Sequence, residues 1–396
     1  MKYDFENLTD RISQASSKWN GMNMLDTQAV KDGIVPLSTA DMEFKAPPQL
    51  TQGIKDYLDG LIMGYSFAPE PFKKAVFSWL KRRHGYEPDP ESLVNTGGVV
   101  PALFTAIKAF SNEGDSIALM PPVYGPFFNA IEKNNRKTAE CNLINENGSW
   151  KIDFEKLEQT FKKQRPKILL FCSPHNPVGR VWTRAELEQT ARLCVNYGVV
   201  LVSDEIHHDL IMPGHTHTVM ETLNKDIAEN CVICTSLAKT FNIAGVPLSS
   251  IFIKNRTLRE KFKTELEKIP GDVSSCLNFK INEIAYNTCE DWLDAVILKI
   301  AENGKFLRSF MTENIPQVKT FDLEGSYLMW LDFRALNIPP EKLDETLQKK
   351  ARLFLTSGLF FGKAGGGYAR LNLAAPFPVI KAAAERLDTA VKVMIK

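Results

Sequence analysis

The middle of the chain alternates short apolar runs with longer amphipathic segments. Apolar runs of about five residues predict strands, and segments with apolar positions three or four residues apart predict helices. The predicted strands are 116–120, 167–171, 199–203, 231–236 and 249–253, and the predicted helices are 69–85, 101–110, 127–134 and 183–197. Because strands that are apolar along their whole length need cover on both faces, this alternation indicates an α/β fold with a mostly parallel sheet between helices.

The pattern changes after about residue 290. The predicted elements there are a long helix at 291–314, a strand at 327–333 and a helix at 341–351. This mixture is typical of a smaller α+β unit. We therefore predict an N-terminal arm (1–45) that joins the small domain, a large α/β domain (46–289) and a C-terminal small domain (290–396).

Composition and charge exclude several classes of protein. The chain has 396 residues, of which 44% are hydrophobic and 24% are charged, as in globular proteins rather than disordered ones. Its net charge of +1 provides no overall field for nucleic acid or an acidic membrane. The sequence has no signal-peptide pattern and no apolar run long enough to cross a bilayer. Seven cysteines without a repeating spacing predict reduced thiols and a cytoplasmic location.

Two groups of possible metal or redox residues are interpreted as structural. Cys231 and Cys234 form a C-x-x-C pair, but a strand would turn the two thiols to opposite faces, which predicts core cysteines. A second group consists of His207, His208, Asp209, His215 and His217. Because there is no H-E-x-x-H motif and part of this group lies in a polar Pro/Gly loop, we interpret the histidines as solvated and predict no metal.

Polar residues follow three consecutive predicted strands of the sheet. Asn176 follows the strand at 167–171, Asp204 follows the next strand, and Lys239 follows the strand after that. In a parallel sheet the carboxyl ends of the strands share one edge, and ligands bind in the crevice outside it. We therefore expect an amide, a carboxylate and an amine to converge at this edge.

This combination of groups suits pyridoxal 5′-phosphate. A lysine amine forms a Schiff base with the aldehyde, and a carboxylate keeps the pyridine nitrogen protonated so that the ring can accept electrons. An amide can donate to the phenolic oxygen of the ring. The phosphate requires backbone N–H groups at the start of a helix, and the glycine-containing segment 96–100 directly precedes the predicted helix 101–110. The sequence therefore predicts a pyridoxal-phosphate site.

The motifs of the chain resemble those of the fold-type I, aminotransferase class I/II superfamily. Within it they are most similar to the MalY/PatB type of cystathionine β-lyases, or C–S lyases. The motifs that carry the resemblance are Ala40-Asp-Met-Glu-Phe44, Gly64-Tyr65-Ser66, Gly98-Val-Val-Pro101, Pro121-Pro-Val-Tyr124, Asn176-Pro-Val-Gly-Arg180, Ser203-Asp-Glu-Ile-His207, Ser236-Leu-Ala-Lys239 and Arg370-Leu-Asn372. They extend over nearly the whole chain, and they imply a large domain with a mostly parallel seven-stranded sheet and a smaller α+β domain.

The resemblance implies a role for each residue of the site. Lys239 would be the catalytic residue, binding the cofactor covalently and moving the proton, while Asp204 would pair with the pyridine nitrogen. Asn176 would contact the phenolic oxygen and the substrate, Tyr124 would stack on the ring beside the substrate, and Arg370 would bind the substrate's α-carboxylate. The further implied cofactor-binding residues are Gly98, Val99, Val100, His207, Ser236 and Tyr65. The last of these would reach the phosphate from the partner subunit of a homodimer.

The reaction implied by the resemblance is α,β-elimination. A thioether amino acid such as L-cystathionine, or an L-cysteine-type conjugate, would give pyruvate, ammonia and a thiol. Two alternatives remain open, an aminotransferase acting on an amino acid and a 2-oxo acid, and a cofactor-binding regulator with little turnover. The chain departs from the family pattern at Ser38, where an aromatic residue is usual, and at Ala238, where serine is common. Both departures concern substrate identity rather than cofactor binding.

Overall fold

A seven-stranded sheet lies at the centre of the fold. The structure, a computed structural model, describes residues 2–146, 148–269 and 275–394. The strands are β1 (Leu93–Thr96), β2 (Ser116–Leu119), β3 (Lys137–Glu140), β4 (Ile144–Glu146), β5 (Ser149–Lys151), β6 (Ile168–Cys172), β7 (Val200–Asp204), β8 (Cys231–Thr235), β9 (Ser249–Phe252), β10 (Lys319–Thr320), β11 (Leu328–Asp332), β12 (Thr356–Ser357) and β13 (Tyr368–Asn372). The central sheet has the order β1-β9-β8-β7-β6-β2-β3, and β4 and β5 form a separate hairpin.

The pairing of the central sheet confirms the predicted, mostly parallel arrangement. Strands β3, β2, β6, β7 and β8 run parallel to one another, whereas β9 is antiparallel to β8 and to β1. Every residue of β6 and of β8 is buried. Alternate residues pack into different cores, because Cys231 belongs to the core on one face and Cys234 to the core on the other. The interpretation of this pair as core cysteines is confirmed.

Helices cover both faces of the sheet. They are α1 (Ser17–Leu25), α2 (Thr27–Lys31), α3 (Pro48–Leu58), α4 (Glu70–His84), α5 (Val99–Phe110), α6 (Pro126–Glu132), α7 (Phe154–Gln164), α8 (Arg184–Tyr197), α9 (Lys225–Ala228), α10 (Leu237–Thr240), α11 (Arg256–Leu266), α12 (Cys276–Thr288), α13 (Glu290–Asn314), α14 (Leu343–Thr346) and α15 (Phe377–Met394). Local signals set several ends. Gly85 ends α4 in the left-handed region at φ +59°, and a reciprocal capping box between Thr183 and Glu186 begins α8.

The helix predicted at 341–351 is wrong in its detail. The segment begins with a 3₁₀ turn (Pro340–Lys342), continues as α14 and ends in a π-helical turn (Leu347–Ala351). Leu343, Leu347 and Ala351 are nevertheless all buried. The apolar spacing of four residues therefore keeps one face packed although the backbone geometry changes along the segment.

A four-stranded antiparallel sheet forms the core of the C-terminal region. Its order is β10-β11-β13-β12, so β13 lies between β11 and β12. The N-terminal region joins this sheet, because the Leu37 N–H donates to Phe354 O and the Asn372 N–H donates to Leu37 O. Trp19 and Met22 of α1 pack in one apolar cluster with Phe354. These contacts agree with an N-terminal arm that belongs to the small domain, while the exact domain boundaries stay a prediction.

Among the helices that the structure describes, none has both the length and the apolar character that crossing a membrane requires.

Candidate active site

A cavity of about 630 Å³ lies at the carboxyl ends of the parallel strands. The structure brings together every site residue predicted from the sequence except Tyr65. The predicted residues that line the cavity are Gly98, Val99, Val100, Tyr124, Asn176, Asp204, His207, Ser236, Lys239 and Arg370. The expected convergence of an amide, a carboxylate and an amine is therefore observed.

Lys239 lies on the short helix α10, one turn beyond the end of β8. Its Nζ donates a hydrogen bond of 2.8 Å to the carbonyl oxygen of Ala40. Burial, and then the positive charge of Arg370, lower the pKa of Lys239 to about 8, although Asp41 and Asp204 act in the opposite direction. An amine with this pKa is neutral in about one molecule in ten at pH 7, far more often than an ordinary lysine, and a nucleophile or a base requires the neutral form.

Asp204 is the last residue of β7 and is only 3% exposed. Its Oδ1 accepts a hydrogen bond of 3.1 Å from the Ile206 N–H. Burial raises the pKa of Asp204 to about 7, while the Ile206 N–H and Lys239 lower it. A cationic N–H group placed against this carboxylate would lower its pKa again, because an opposite charge nearby favours the ionised form.

Arg370 and Asn176 form a joined recognition unit in the cavity. Arg370 Nη1 donates to Asn176 Oδ1 at 3.0 Å, and Nη2 donates to Ser38 O and Thr356 Oγ1, both at 3.1 Å. Arg370 is 3% exposed, and its Nε has no partner among the described residues. Burial lowers the pKa of Arg370 to about 10, so the guanidinium remains charged near neutral pH. A planar cation with a buried, unused donor suits a carboxylate ligand.

The start of α5 provides backbone amides at the cavity. Gly98 occupies the N-cap position at φ +128°, a backbone conformation that favours glycine. The first helical residues, Val99 and Val100, also line the cavity. Backbone N–H groups at the start of a twelve-residue helix suit a phosphate. Ser236 lines the cavity as well, but its hydroxyl donates to Leu248 O at 2.7 Å, and its contact with a phosphate stays a prediction.

The side chains of Tyr124 and His207 also line the cavity. Burial, and then the charge of Asp204, raise the pKa of the Tyr124 phenol. Burial lowers the pKa of His207 well below its usual range, and its Nδ1 has no partner among the residues described. The imidazole is therefore neutral, and it faces the ring of Tyr327 at a centroid distance of 6.0 Å.

Tyr65 lies outside the cavity of its own chain. It is fully exposed, as are most of the side chains of Ile62, Met63 and Phe67 in the same loop. Nothing in a single chain explains this apolar exposure, because large side chains in such a group are normally covered.

The interpretation of the histidines after β7 as solvated is wrong for three of them. His207, His208 and His217 are buried, whereas His215 is exposed as expected. The segment after β7 returns to the protein interior, where carboxylates provide partners that the sequence pattern does not reveal. His217 Nε2 lies 2.8 Å from Glu205 Oε2.

Sequence reasoning missed three residues at the site. Ala40 provides the carbonyl for Lys239, Thr356 contacts Arg370, and Tyr327 donates its hydroxyl to Ala40 O at 2.8 Å. None of them follows a strand of the parallel sheet. Thr356 and Tyr327 reach the site only through the packing of the small domain, so no signal in the sequence marks them. Ala40 lies in a quoted family motif, but the role of a backbone carbonyl is not visible in a sequence.

This chain is similar to several named proteins and solved structures. PatB of Bacillus subtilis, a cystathionine β-lyase, is 36% identical over 98% of this chain and 99% of its own length. The crystal structure of cystalysin from Treponema denticola, which contains a pyridoxal 5′-phosphate cofactor, superposes with a TM-score of 0.97 at 43% identity over all of both chains. The pyridoxal-phosphate-bound C–S lyase from Staphylococcus hominis superposes with a TM-score of 0.90 at 27% identity, covering 98% of this chain and 99% of that one.

The superpositions confirm the fold that the sequence motifs imply, a fold-type I architecture with a mostly parallel central sheet. Residues 33–387 match the family described as aminotransferase class I and II. This match extends from the N-terminal arm to α15 and includes every residue found around the cavity. The chain therefore belongs to the aminotransferase class I and II family.

Proposed function

We propose that this chain is a pyridoxal 5′-phosphate-dependent carbon–sulfur β-lyase. Its substrates are thioether amino acids such as L-cystathionine and L-cysteine-type conjugates, and its products are pyruvate, ammonia and a thiol. The observation that carries the proposal is the convergence of Lys239, Asp204 and Arg370 on one cavity. The similarity to cystathionine β-lyase and C–S lyase relatives over nearly the full chain favours this reaction within the family.

The groups around the cavity fit the cofactor. Pyridoxal 5′-phosphate supplies an aldehyde that condenses with amines and a ring that accepts electrons from a neighbouring carbanion. The buried carboxylate of Asp204 suits the cationic ring nitrogen, and the start of α5 suits the phosphate. Tyr124 offers an aromatic face, and Asn176 offers its amide N–H₂ because its oxygen is bonded to Arg370.

Different residues of the chain bind the substrate and transfer its proton. Arg370 binds the α-carboxylate of the substrate, and its contacts with Asn176 and Thr356 fix the plane of the guanidinium. Lys239 Nζ, once free of the cofactor, accepts the α-proton of the substrate. The Cβ–S bond of the substrate then breaks as the electrons of the former Cα–H bond form a Cα=Cβ double bond, and the thiolate leaves with the electrons of the C–S bond. Water hydrolyses the released 2-aminoacrylate to pyruvate and ammonia. Ser38 and Thr356 lie beside Arg370, so we expect them to lie near the α-carboxylate end of the substrate.

Product identification tests this proposal against its alternatives. Purified protein with bound cofactor is incubated with L-cystathionine alone, and separately with amino acids paired with 2-oxo acids. The lyase assignment requires pyruvate, ammonia and thiol in equal amounts without an added 2-oxo acid. Rapid amino transfer with negligible thiol release would instead establish an aminotransferase. Cofactor binding without turnover of either kind would indicate a regulator.

We also propose that the enzyme is a homodimer in which Tyr65 reaches the phosphate site of the partner subunit. The exposed apolar loop that contains Ile62, Met63 and Phe67 supports this assembly, because a second subunit would cover it. Seven cysteines without a disulfide fit a reducing compartment, so the proposed location is the cytoplasm.

Subunit mixing tests the position of Tyr65. A Lys239→Ala chain and a Tyr65→Ala chain, each inactive alone, are mixed under conditions that exchange subunits. One site of each hybrid dimer then carries neither change, so activity should return. As a control, Lys239→Ala is mixed with Asp204→Asn, which alters the same cavity and should give no recovery. Verified hybrids of the first pair that remain inactive would rule out a shared site.

A further inference from the structure

The carbonyl oxygen of Ala40, a residue that lines the cavity, accepts hydrogen bonds from two side chains. Lys239 Nζ donates to it at 2.8 Å, and the hydroxyl of Tyr327 donates to it at the same distance. A carbonyl oxygen has two lone pairs, so these two donors use its full capacity. The resting position of the Lys239 amine is therefore set by a backbone group of the N-terminal arm.

The 38–44 loop, which contains this carbonyl, is fixed from several directions. Asn372 Nδ2 donates to Thr39 O at 2.8 Å and to Asp41 O at 2.6 Å, so the carbonyls on either side of Ala40 are held by one side chain. Asn242 accepts from the Met42 N–H at 2.8 Å and donates to Met42 O at 3.0 Å. A carbonyl within so constrained a loop has little freedom to turn away from the cavity.

Charged side chains of the N-terminal arm hold the same loop from behind. Lys18, whose side chain is completely buried, contacts Asp41 Oδ1 at 2.8 Å and also bonds to Glu43. Arg11 bonds to the same two carboxylates, at 2.8 Å to Asp41 and 3.0 Å to Glu43. Ion pairs with this burial are costly to break. The loop therefore acts as a rigid wall against which the lysine amine rests.

Tyr327 can share the acceptor Ala40 O with Lys239, whose amine leaves this oxygen when it is joined to the cofactor. Its ring is buried, and burial raises the pKa of its phenol far above the ordinary value, so the hydroxyl stays a donor. When Lys239 is joined to the cofactor, Ala40 O loses one of its two donors. A buried carbonyl left without any donor is costly, but Tyr327 keeps this one paired.

We propose that Ala40 O is the resting acceptor of the Lys239 amine whenever the lysine is not joined to the cofactor, and that Tyr327 is a positioning residue that shares this acceptor. The inference rests on the proposed function, since it requires Lys239 to be the cofactor lysine. Tyr327 weakens the hold of the carbonyl on the ammonium form, and it satisfies the carbonyl when the amine leaves. The Lys239 amine can therefore leave Ala40 O and return to it without leaving this buried carbonyl unpaired.

Tyr327→Phe removes only the hydroxyl and so tests the shared acceptor. The cofactor-free full-length chain is acylated over a range of pH, and the modification of Lys239 is followed by mass spectrometry of its peptide. In the variant the pH midpoint for acylation of Lys239 should rise by about 0.5 to 1 unit. The reason is that the carbonyl then accepts a hydrogen bond from the ammonium group only and stabilises the charged form more strongly. The affinity for pyridoxal 5′-phosphate should fall about three- to tenfold, because attachment of the lysine leaves Ala40 O unpaired.

Tyr86→Phe is the matched control. Tyr86 is also buried, and its hydroxyl donates to Glu221 Oε2 at 2.8 Å, with no contact to Ala40 or Lys239. Its loss should leave both the lysine midpoint and the cofactor affinity unchanged, whatever it does to stability. A folded Tyr327→Phe protein with the midpoint and affinity of the unaltered chain would overturn the inference.

A measurement on the unaltered chain does not depend on the variant folding. Ala40-Asp41 is the only Ala–Asp step in the sequence, so labelling alanine carbonyls with ¹³C and aspartate nitrogens with ¹⁵N selects this one peptide group in NMR. The ¹³C shift should titrate with a midpoint of about 8 in the cofactor-free chain, matching Lys239, and should move when the cofactor attaches. A shift that neither titrates nor responds to the cofactor would overturn the inference.

Borohydride reduction separates this inference from the proposed function. If reduction fixes the cofactor to a lysine other than Lys239, the proposed function fails and the inference fails with it. If reduction fixes it to Lys239 while the carbonyl signal does not respond, only the role of Ala40 and Tyr327 is disproved.

Discussion

Two buried aspartates five residues apart, Asp204 and Asp209, have carboxyl pKa values that are shifted in opposite directions. Asp204 faces the cavity, and burial raises the pKa of its carboxyl to about 7. Asp209 lies in a separate polar cluster, and His208 and His84 hold the pKa of its carboxyl well below the usual range in spite of burial. Both side chains are almost completely buried, at 3% and 2% exposed. Burial therefore does not explain the difference between them.

The difference comes from the number of donors. Among the residues that the structure describes, the carboxylate of Asp204 accepts from one backbone N–H. Asp209 accepts from Trp79 Nε1 at 3.0 Å, His84 Nε2 at 2.8 Å and Thr240 Oγ1 at 2.7 Å, and its Oδ2 lies 3.2 Å from His208 Nε2. Hydrogen bonds to the charged form lower a carboxyl pKa, whereas desolvation without them raises it. A sparsely paired buried carboxylate marks the ligand site, and a saturated one marks a structural hub.

The same contrast applies to the histidine cluster around Asp209. His84, His208 and Asp209 bring possible metal-ligating atoms within 4.8 Å of one another. The oxygens of Asp209, however, are already occupied by protein donors. We therefore interpret this cluster as a polar network that joins α4, the segment after β7 and α10.

The largest effect on activity is expected from a comparison of substitutions at two neighbouring residues of α10. Lys239 faces the cavity, whereas Thr240 bonds to Asp209. Lys239→Ala should reduce lyase activity by roughly 10⁴-fold or more with little change in unfolding temperature, because it removes both the attachment group and the base. Thr240→Val should lower stability by about 1 kcal/mol and keep most of the activity. The contrast fails if Thr240→Val abolishes turnover in a stably folded protein.

The two aspartates should influence stability with opposite dependence on pH. A raised pKa in the folded state means that Asp204 destabilises the cofactor-free chain progressively as pH rises from about 4 to about 7. Asp204→Asn should therefore stabilise that form at pH 7, by on the order of 4 kcal/mol, and the gain should vanish towards pH 4. Asp209 has a lowered pKa, so its contribution is present above pH 3.8 and is lost in acid. Denaturant unfolding at several pH values would measure both slopes, and equal slopes for the two Asn variants would contradict the comparison.

The two aspartates should also differ in their effect on activity, which should depend much more on Asp204 than on Asp209. Asp204→Asn in the cofactor-loaded protein should reduce the rate of thiol release by about 10²- to 10³-fold, because the charge that pairs with the cofactor ring is lost. Asp209→Asn should cost about 3 kcal/mol of stability, since several buried donors lose their anionic partner. Its activity per folded molecule should change much less. Steady-state kinetics at matched concentrations of folded protein provide the measurement, and a larger kinetic defect in Asp209→Asn would contradict it.

The smallest of these effects concerns the geometry of a charge rather than its presence. Arg370→Lys retains the positive charge but removes the planar pair of donors. We expect kcat/KM for L-cystathionine to fall by about ten- to a hundredfold, which corresponds to roughly 1.5–3 kcal/mol for a charge-assisted bond. Cofactor absorbance should stay unchanged, because Asp204 and Lys239 are intact. Equal kinetics for the Lys variant would show that Arg370 does not bind the α-carboxylate.

The sequence by itself determined the local elements and the polar residues at the strand ends. Strand and helix periodicity depends on neighbours within a few residues, so the central strands and most predicted helices agree with the structure to within about two residues. The parallel topology follows from that alternation, and it places Asn176, Asp204 and Lys239 at one edge. The family motifs added Arg370 and the residues around the phosphate site.

Only the tertiary structure decided which distant groups meet. Ala40, Tyr327 and Thr356 reach the site because the N-terminal arm and the small domain fold onto the sheet. Burial of His208 beside Asp209 likewise depends on packing that a polar loop sequence does not reveal. Asp204 and Asp209 are the same residue type in the same short segment, yet one is an acceptor held ready for a ligand and the other is saturated. Donors far away in the chain decide that difference, because a pKa depends on the distance to charges and hydrogen-bond partners in space, not along the sequence.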